Sequence, residues 1–404
     1  MPFTGKMADS HSAEGLKRKG ECFMMKKVAI VAVAQIGHED SAGKNITDLT
    51  YEVCKSALKK VGIKREDLDT IVTCSSDYWQ GISCSSCFYY ESMGAYLKNA
   101  TKVEGCSISA FIYAVMRIMS GHFDTALVHA ITKSSEVPDE SQLTNLCADP
   151  FYLRPLGLDD LSTAAMQARL YMERYQITEE QAAKVVVKNL GNGINNPNVS
   201  RKGPVSVGEV LNSEPIAYPI KSVDWAANHS DGTCALILAS EEKAKELTKK
   251  PVWVKGMGWS TDSYFLGDRD LLDGPLREIS QKAYEMACIK DPREEIDVAE
   301  LCEPCSFQEL LWYEQLGFCK EGEGGDFIDS GVTTMKGSLP VNPSGGLLSF
   351  NPYVARGLFR IIEAALQLRG EAEKRQVPGA HTALAHSTHG FAGQNHSVVI
   401  LGKS

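Results

Sequence analysis

The stretch KVEGCSISAFIYAVMRIMSGHFDTALVHA, residues 102–130, contains a Gly-Cys step followed at once by a long apolar segment. Residues 107–119 carry apolar side chains with the period of a helix, and Ser120-Gly121 marks its end. Residues 125–130 then read as a strand. The stretch therefore predicts a buried helix that begins at Cys106 and a strand that follows it.

Cys106 is a candidate nucleophile because of its place at the start of this helix. The free N–H groups and the dipole at a helix N-terminus stabilise a thiolate, which is the nucleophilic form of cysteine. Gly105 permits the tight backbone that would present the sulfur. The alternative is a small core residue at a helix start.

Two distant segments have the same order of elements, which indicates an internal duplication. The segment ALKKVGIKREDLDTIVTCS, residues 57–75, matches AYEMACIKDPREEIDVAELC, residues 283–302. Each has a helix ending, an Ile-Lys pair, an Arg-Glu-acidic triplet and an Asp before a strand. We therefore predict two similar α/β halves of roughly 150 residues each.

The predicted domains follow from this repeat. Residues 1–24 are a polar extension without the apolar region of a signal peptide. Residues 25–250 form the N-terminal half and residues 251–404 the C-terminal half. An inserted loop domain, about residues 138–215, is expected to cover one face of the first half. Within it Thr178 is the predicted N-cap of a helix whose first turn contains Glu179 and Glu180.

Composition excludes several classes of function. The 404-residue chain has a net charge of −9, which argues against a nucleic-acid partner. No apolar segment approaches the ~18–20 residues needed to cross a bilayer. Twelve scattered cysteines suit buried thiols in a reducing cytoplasm better than a disulfide framework.

Several separated motifs resemble the thiolase superfamily, over most of residues 25–404. The Gly-Cys helix is similar to the thiolase nucleophile segment, and residues 165–199 resemble the helices of the thiolase loop domain. The segments NHSDGTCALILAS (228–240), LPVNPSGGLLSFNPYVARG (339–357) and HGFAGQNHSVVIL (389–401) resemble three further thiolase motifs in the same order. The segment FQELLWYEQLG (307–317) fits the sterol-carrier and archaeal branches.

This resemblance implies a thiolase fold, with two duplicated α/β halves in five α-β-α-β-α layers. It implies an acyltransferase in which Cys106 attacks the ketone of a 3-oxoacyl-CoA and CoA then collects the acyl group. No permanently bound cofactor is expected, because coenzyme A is a substrate. The resemblance also implies a homodimer core and a small companion subunit with a zinc ribbon and an OB-fold.

The departures from the family motifs define the remaining candidate site. His389 stands where most thiolases have a second cysteine, and we expect it to act as the general acid/base. His386 is the alternative if the loop alignment shifts. Asn351 replaces the usual histidine and could donate to an oxyanion. Cys302 replaces the asparagine or histidine that lines the pocket.

Other residues near these motifs complete the expected pocket. Gly390, Phe391 and Gly346 are expected to line the oxyanion region. Phe350, Tyr353 and Arg356 are weaker candidates for substrate binding. Arg356 or Lys221 could meet an extra carboxylate, although both fit solvated surface roles better.

The missing histidines and the nearby aromatic residues favour a bulky, branched or aromatic 3-oxoacyl-CoA. The specific candidate is 2-benzoylsuccinyl-CoA, cleaved with CoA to benzoyl-CoA and succinyl-CoA during anaerobic toluene breakdown.

Three alternatives remain open at the level of sequence. The chain could be a condensing acyltransferase of the polyketide or acylphloroglucinol type, or a non-catalytic scaffold that binds acyl-CoA or lipid. The pairs Cys84/Cys87 and Cys302/Cys305 could also form a zinc site. Their separation exceeds the usual spacing of a structural Cys₄ site, so we expect no metal.

Overall fold

A computed structural model describes residues 26–228 and 230–403 of the chain. The predicted extension, residues 1–24, lies outside the described residues. The strands within the described residues are β1 Val28–Ile36, β2 Thr70–Cys74, β3 Asn99–Val103, β4 Thr125–Lys133, β5 Pro215–Ala217, β6 Ile220–Lys221, β7 Asp231–Ser240, β8 Val252–Thr261, β9 Val298–Glu300, β10 Thr382–His389 and β11 Asn395–Gly402.

The α-helices range from single turns to four-turn elements. Those within the described residues are α1 His38–Ser41, α2 Ile46–Val61, α3 Asp77–Gln80, α4 Ser107–Met119, α5 Glu140–Asn145, α6 Asp160–Tyr175, α7 Glu179–Gly193, α8 Val207–Leu211, α9 Glu241–Leu247, α10 Leu276–Ala287, α11 Pro292–Glu295, α12 Ser306–Gln315, α13 Gly324–Asp329, α14 Gly346–Ser349 and α15 Arg356–Arg369.

Nine strands form one mixed sheet in the order β3-β2-β4-β7-β1-β8-β11-β10-β9. The two sides of this order repeat the same pairings. Strands β2 and β4 pair in parallel, as do β9 and β10, whereas β4–β7–β1 and β10–β11–β8 are antiparallel. The duplication inferred from sequence is therefore visible in the strand topology, although the predicted domain limits stay a prediction.

The two halves of the sheet meet where β1 pairs with β8. Only Ala29 with Trp253 and Ile30 with Val252 are in register there. This short junction lets the sheet fold back on itself, so that each half faces the other across a central pair of helices.

Helices α4 and α15 form that central layer. Both contribute to one core cluster with strands of both halves of the sheet. Helix α15 is buried on nearly all sides, as expected for a helix packed between two sheets. The outer helices α2 and α10 bury one face each against the opposite sides of the sheet. The result is the predicted five-layer α-β-α-β-α arrangement.

The central helices also meet at their N-terminal ends. The backbone N–H of Leu358, in the first turn of α15, donates to Ser107 Oγ at 2.9 Å. Ser107 is the first residue of α4. The contact places the start of α15 beside the Cys106 turn.

The inserted helices pack differently from the sequence expectation. Thr178 caps α7 as predicted, and its side chain accepts from Gln181 N. However, the apolar face of α7 packs against α12, α13 and α14, and α6 also contacts α12. The expectation that this region covers the first half is therefore wrong, because its apolar residues share a core cluster with the second half.

Candidate active site

Cys106 lies where the chain turns into the central helix. Gly105 precedes it with φ +96°, a left-handed conformation that favours glycine. Cys106 is the N-cap of the 13-residue helix α4 and is half-buried. Its Sγ donates a hydrogen bond to Ser387 Oγ at 3.0 Å. The thiol therefore lies at the N-terminus of α4 with a hydroxyl against it, as a thiolate nucleophile requires.

His389 is the last residue of β10 and lies beside the Cys106 turn. A methyl group placed on Gly105 would be 3.8 Å from His389 Cδ2 and 3.9 Å from Nε2. Burial lowers the pKa of His389 to about 4, and the positive charge of Arg356 lowers it further. The imidazole is therefore neutral at pH 7 and can accept the proton of a neighbouring thiol.

His386 lies on the opposite face of the same strand. Its Nε2 is 2.9 Å from His396 Nδ1, and the two rings stack beside Trp312. Because side chains alternate along a strand, Ser387 and His389 share the face toward Cys106 and His386 does not. The structure therefore favours His389 over the His386 alternative.

A cavity of about 310 Å³ lies next to this site. The segment from residue 138 to 144, the start of α6 and residues 225–228 form part of its wall, with Pro304, Asn351, Tyr353 and Arg356 completing it. The Tyr353 ring centroid is 6.2 Å from that of His389, so Tyr353 separates the cavity from the imidazole. The Tyr353 hydroxyl donates to Asp160 Oδ2 at 2.8 Å.

Arg356 is a buried cation in the wall of this cavity. It is only 5% exposed, its guanidinium lies over the ring of Tyr353, and Nη2 donates to the backbone oxygen of Thr388 at 2.6 Å. Among the described carboxylates none forms an ion pair with it. The expected surface role for Arg356 is therefore wrong. Lys221, the other cation considered, pairs with Glu179.

Asn351 presents an unused amide oxygen in the same cavity. The residue is 5% exposed, and within the described part of the chain Oδ1 has no hydrogen-bond partner. Its backbone N–H donates to Ser230 Oγ at 3.2 Å. A buried acceptor without a donor is costly, so a ligand with an N–H or O–H group suits this position.

Cys302 is fully buried against Ala226 and Leu347. Burial raises the pKa of its thiol to about 12, and a hydrogen bond with Ser387 acts in the opposite direction. Cys302 is therefore a neutral thiol beside the nucleophile.

The other cysteines of the two Cys-x-x-Cys pairs lie in contrasting environments. Cys305 is buried as the N-cap of α12, whereas Cys84 and Cys87 are exposed. The residues that the structure describes contain no group of three or more His, Cys, Asp or Glu side chains arranged to hold a metal ion.

Four residues expected at the pocket lie elsewhere. Phe350 is 1% exposed and packs edge-on against Phe359, so its predicted role in substrate binding is wrong. Gly346 lies against the Glu303 carboxylate. Phe391 packs in a small cluster with Ala148 and Leu158, and Gly390 forms the turn after β10. These contacts give no support to a pocket-lining role for Gly346, Phe391 or Gly390.

Sequence reasoning missed Ser387, Asp160 and Trp79. Ser387 could have been found from strand periodicity, since it stands two residues before His389 and therefore on the same face. The sequence carries no comparable signal for Asp160 or Trp79, which reach Tyr353 from distant parts of the chain.

Comparison with known proteins identifies the family. Acetyl-CoA acetyltransferase of Methanothermobacter thermautotrophicus is 31% identical over 384 residues, which is 91% of this chain and 98% of that relative. The chain belongs to the thiolase family. The family described as "Thiolase C-terminal domain-like" matches residues 258–403. The predicted fold and the assignment as an acyltransferase enzyme are therefore confirmed.

Two further relatives place this thiolase near the sterol-carrier branch. Sterol carrier protein 2 of Oryctolagus cuniculus is 39% identical over 226 residues, 54% of this chain and 41% of that longer protein. Benzoylsuccinyl-CoA thiolase subunit BbsB of Thauera aromatica is 35% identical over 230 residues, 56% of this chain and 59% of the subunit. The predicted branch is thus confirmed.

A solved structure supports the fold of this thiolase. The structure titled "Ltp2-ChsH2(DUF35) aldolase" superposes with a TM-score of 0.79 at 24% identity, covering 93% of this chain and 98% of that one. In the described residues no helix has both the length and the apolar character needed to span a bilayer.

Proposed function

We propose that this thiolase cleaves a bulky 3-oxoacyl-CoA that carries an additional carboxylate, with 2-benzoylsuccinyl-CoA as the specific candidate. The products would be benzoyl-CoA and succinyl-CoA. The observation that carries the proposal is the buried guanidinium of Arg356 in the cavity wall, which has no described carboxylate as a partner. Burying an unpaired charge is costly, and a substrate carboxylate would offset that cost.

The chemistry assigned to Cys106 follows from its position at the start of α4. Its thiol transfers a proton to the neutral imidazole of His389 as Sγ attacks the ketone carbon of the substrate. The bond between the α-carbon and the ketone carbon then breaks. The acyl group stays on Sγ, and the electron pair leaves on the α-carbon of the shorter acyl-CoA. Protonated His389 returns the proton to that carbon.

The second half of the reaction uses the same two residues in reverse. Coenzyme A enters as a substrate, and His389 removes the proton of its thiol. The CoA sulfur attacks the thioester carbonyl on Cys106 and takes the acyl group. Asn351 lines the cavity next to this site, and its amide group is the proposed partner for polar atoms of the substrate.

The comparisons support this choice of substrate to a limited extent. BbsB is named as a subunit of benzoylsuccinyl-CoA thiolase, and it aligns with about half of this chain. A cavity of about 310 Å³ lies at the small end of ligand pockets, which suits the acyl part of a substrate whose CoA moiety extends outside it.

We also propose that the thiolase acts with a companion subunit on a homodimer core. BbsB is named as a subunit, and the structure titled with Ltp2 contains ChsH2(DUF35) in its name. The proposed companion is a small protein with a zinc ribbon and an OB-fold.

The test is thiolysis by the purified chain, alone and with the product of the neighbouring gene. Substrates are 2-benzoylsuccinyl-CoA, a neutral branched 3-oxoacyl-CoA and acetoacetyl-CoA, and products are measured by mass spectrometry. We expect cleavage of the carboxylate-bearing substrate and an acyl adduct on Cys106. Cys106→Ala should abolish the adduct, whereas Cys147→Ala, at an exposed cysteine, should not.

Each other outcome points to one of the alternatives. Products of acyl-CoA condensation without thiolysis would favour a condensing acyltransferase. The absence of an adduct on Cys106 with every acyl-CoA, even with the companion present, would favour a non-catalytic scaffold.

A further inference from the structure

We propose that Ser387 is a positioning residue for Cys106, whose hydroxyl holds the thiol and then donates a hydrogen bond to the thiolate. The inference rests on the nucleophilic role proposed for Cys106. It adds a residue that is not part of the Cys106–His389 pair and that stands on the second half of the fold, whereas Cys106 belongs to the first.

The hydroxyl is in direct contact with the reacting sulfur. Cys106 Sγ and Ser387 Oγ are 3.0 Å apart, although the residues are 281 positions apart in the chain. A serine hydroxyl has one donor hydrogen and two acceptor lone pairs, and it can rotate about its C–O bond. It can therefore accept from the neutral thiol and donate to the thiolate without movement of the backbone.

The packing around Ser387 fixes where its oxygen lies. Ser387 is fully buried in the middle of β10. A methyl group placed on Gly357, in the first turn of α15, would be 2.7 Å from Ser387 Oγ and 2.9 Å from Ile108 Cγ1. Any larger residue at position 357 would displace the hydroxyl or the helices. Gly357 thus leaves room for an ordered oxygen between the starts of α4 and α15.

The second neighbour of the hydroxyl is Cys302. Burial keeps the Cys302 thiol neutral, so the rotating hydrogen of Ser387 is shared between one thiol that can ionise and one that does not. When Cys106 loses its proton, a charge-assisted hydrogen bond to its sulfur becomes stronger than the neutral one to Cys302. The hydroxyl therefore favours ionisation of Cys106 selectively.

The test measures the thiolate directly and needs no substrate. The rate of Cys106 alkylation by iodoacetamide is followed by peptide mass spectrometry between pH 5 and pH 10. We expect Ser387→Ala to move the apparent pKa of Cys106 upward by about one unit, which lowers the alkylation rate near neutral pH by about tenfold. Ser387→Cys, which keeps a weak donor, should give a smaller shift.

A matched control is available on the neighbouring strand. Ser397 pairs with Ser387 in the antiparallel register of β10 and β11 and is also buried. Ser397→Ala should leave the alkylation profile of Cys106 unchanged. Superimposable profiles for the wild type, Ser387→Ala and Ser387→Cys, in proteins with unchanged unfolding midpoints, would overturn the inference.

This experiment also separates the inference from the proposed function. If Ser387→Ala shifts the alkylation profile but no acyl-CoA forms an adduct on Cys106, the proposed function fails and the role of Ser387 stands. If adducts form and the profile does not shift, the reverse holds.

Discussion

The ring of Tyr353 stacks on the indole of Trp79, with ring centroids 3.8 Å apart and planes 6° from parallel. Trp79 follows β2 in the first half and Tyr353 precedes α15 in the second. The indole is held in turn by a hydrogen bond from Nε1 to Ser134 Oγ at 3.1 Å. One wall of the cavity is therefore built from both halves of the duplicated fold.

Trp79→Ala should destabilise the protein and loosen this wall. Loss of a buried tryptophan costs about 3–5 kcal/mol of unfolding free energy. Urea unfolding measures that loss, and steady-state kinetics should show a raised KM. Trp259→Ala is the control, since Trp259 is 49% exposed and should change the free energy of unfolding much less. Equal effects of the two variants would contradict the stacking role of Trp79.

Arg356→Gln should remove discrimination between substrates with and without a carboxylate. Hydrogen bonds to charged groups contribute about 1.5–3 kcal/mol, so kcat/KM for the carboxylate-bearing substrate should fall by roughly 10- to 150-fold. The neutral branched 3-oxoacyl-CoA should be affected far less. Lys221→Gln, in which a cation already paired with Glu179 is lost, serves as the control. Equal losses on both substrates would show that Arg356 does not bind the carboxylate.

His389→Asn should lower kcat by about 10²- to 10⁴-fold, because the proton acceptor for Cys106 is lost. In the wild type, neutral His389 is the active form, and burial with the charge of Arg356 places its pKa at about 4. The acidic limb of kcat/KM should therefore lie near pH 4 and not near the ~6.5 of free histidine. Arg356→Gln should move that limb to higher pH. A limb near pH 6.5 in the wild type would contradict this assignment.

The buried pair of His386 and His396 should make the fold sensitive to acid. Burial, with repulsion from neighbouring charge, lowers the pKa of His396 to about 3 and that of His386 well below its usual value. Below pH ~6.5 the unfolded chain therefore binds more protons than the folded one. The free energy of unfolding should fall as the pH decreases toward 4, by up to roughly 1.4 kcal/mol per pH unit for each histidine.

His396→Gln tests this prediction by urea unfolding at pH 7.5 and pH 5. The variant should lose less stability between the two pH values than the wild type does. His122→Gln, at an exposed histidine, should behave as the wild type. Equal pH dependence in His396→Gln and the wild type would show that other groups cause the acid sensitivity.

The duplication could be predicted because local chemistry repeats at equivalent points. Gly62 and Cys288 both end a helix in the left-handed conformation, with φ of +69° and +59°, before corresponding strands. The Cys106 turn was predictable for the same reason, since a Gly-Cys step before an apolar helix is a local signal.

What the sequence could not supply depends on contacts between distant segments. The apolar face of α7 showed that it would be buried, but not that α12 would cover it. Phe350 and Arg356 were ranked by residue type, and packing reversed both: the aromatic ring entered the core and the cation entered the cavity wall. The partnership of Ser387 with Cys106 required the relative position of β10 and α4.

The meeting of α4 and α15 at Leu358 and Ser107 has an electrical consequence. Each helix start carries about half a positive elementary charge from its aligned peptide groups. Two starts side by side supply roughly one such charge from peptide groups alone, and peptide groups do not titrate. The attraction for a sulfur anion or a developing enolate at this point therefore persists at any pH at which the two halves stay docked.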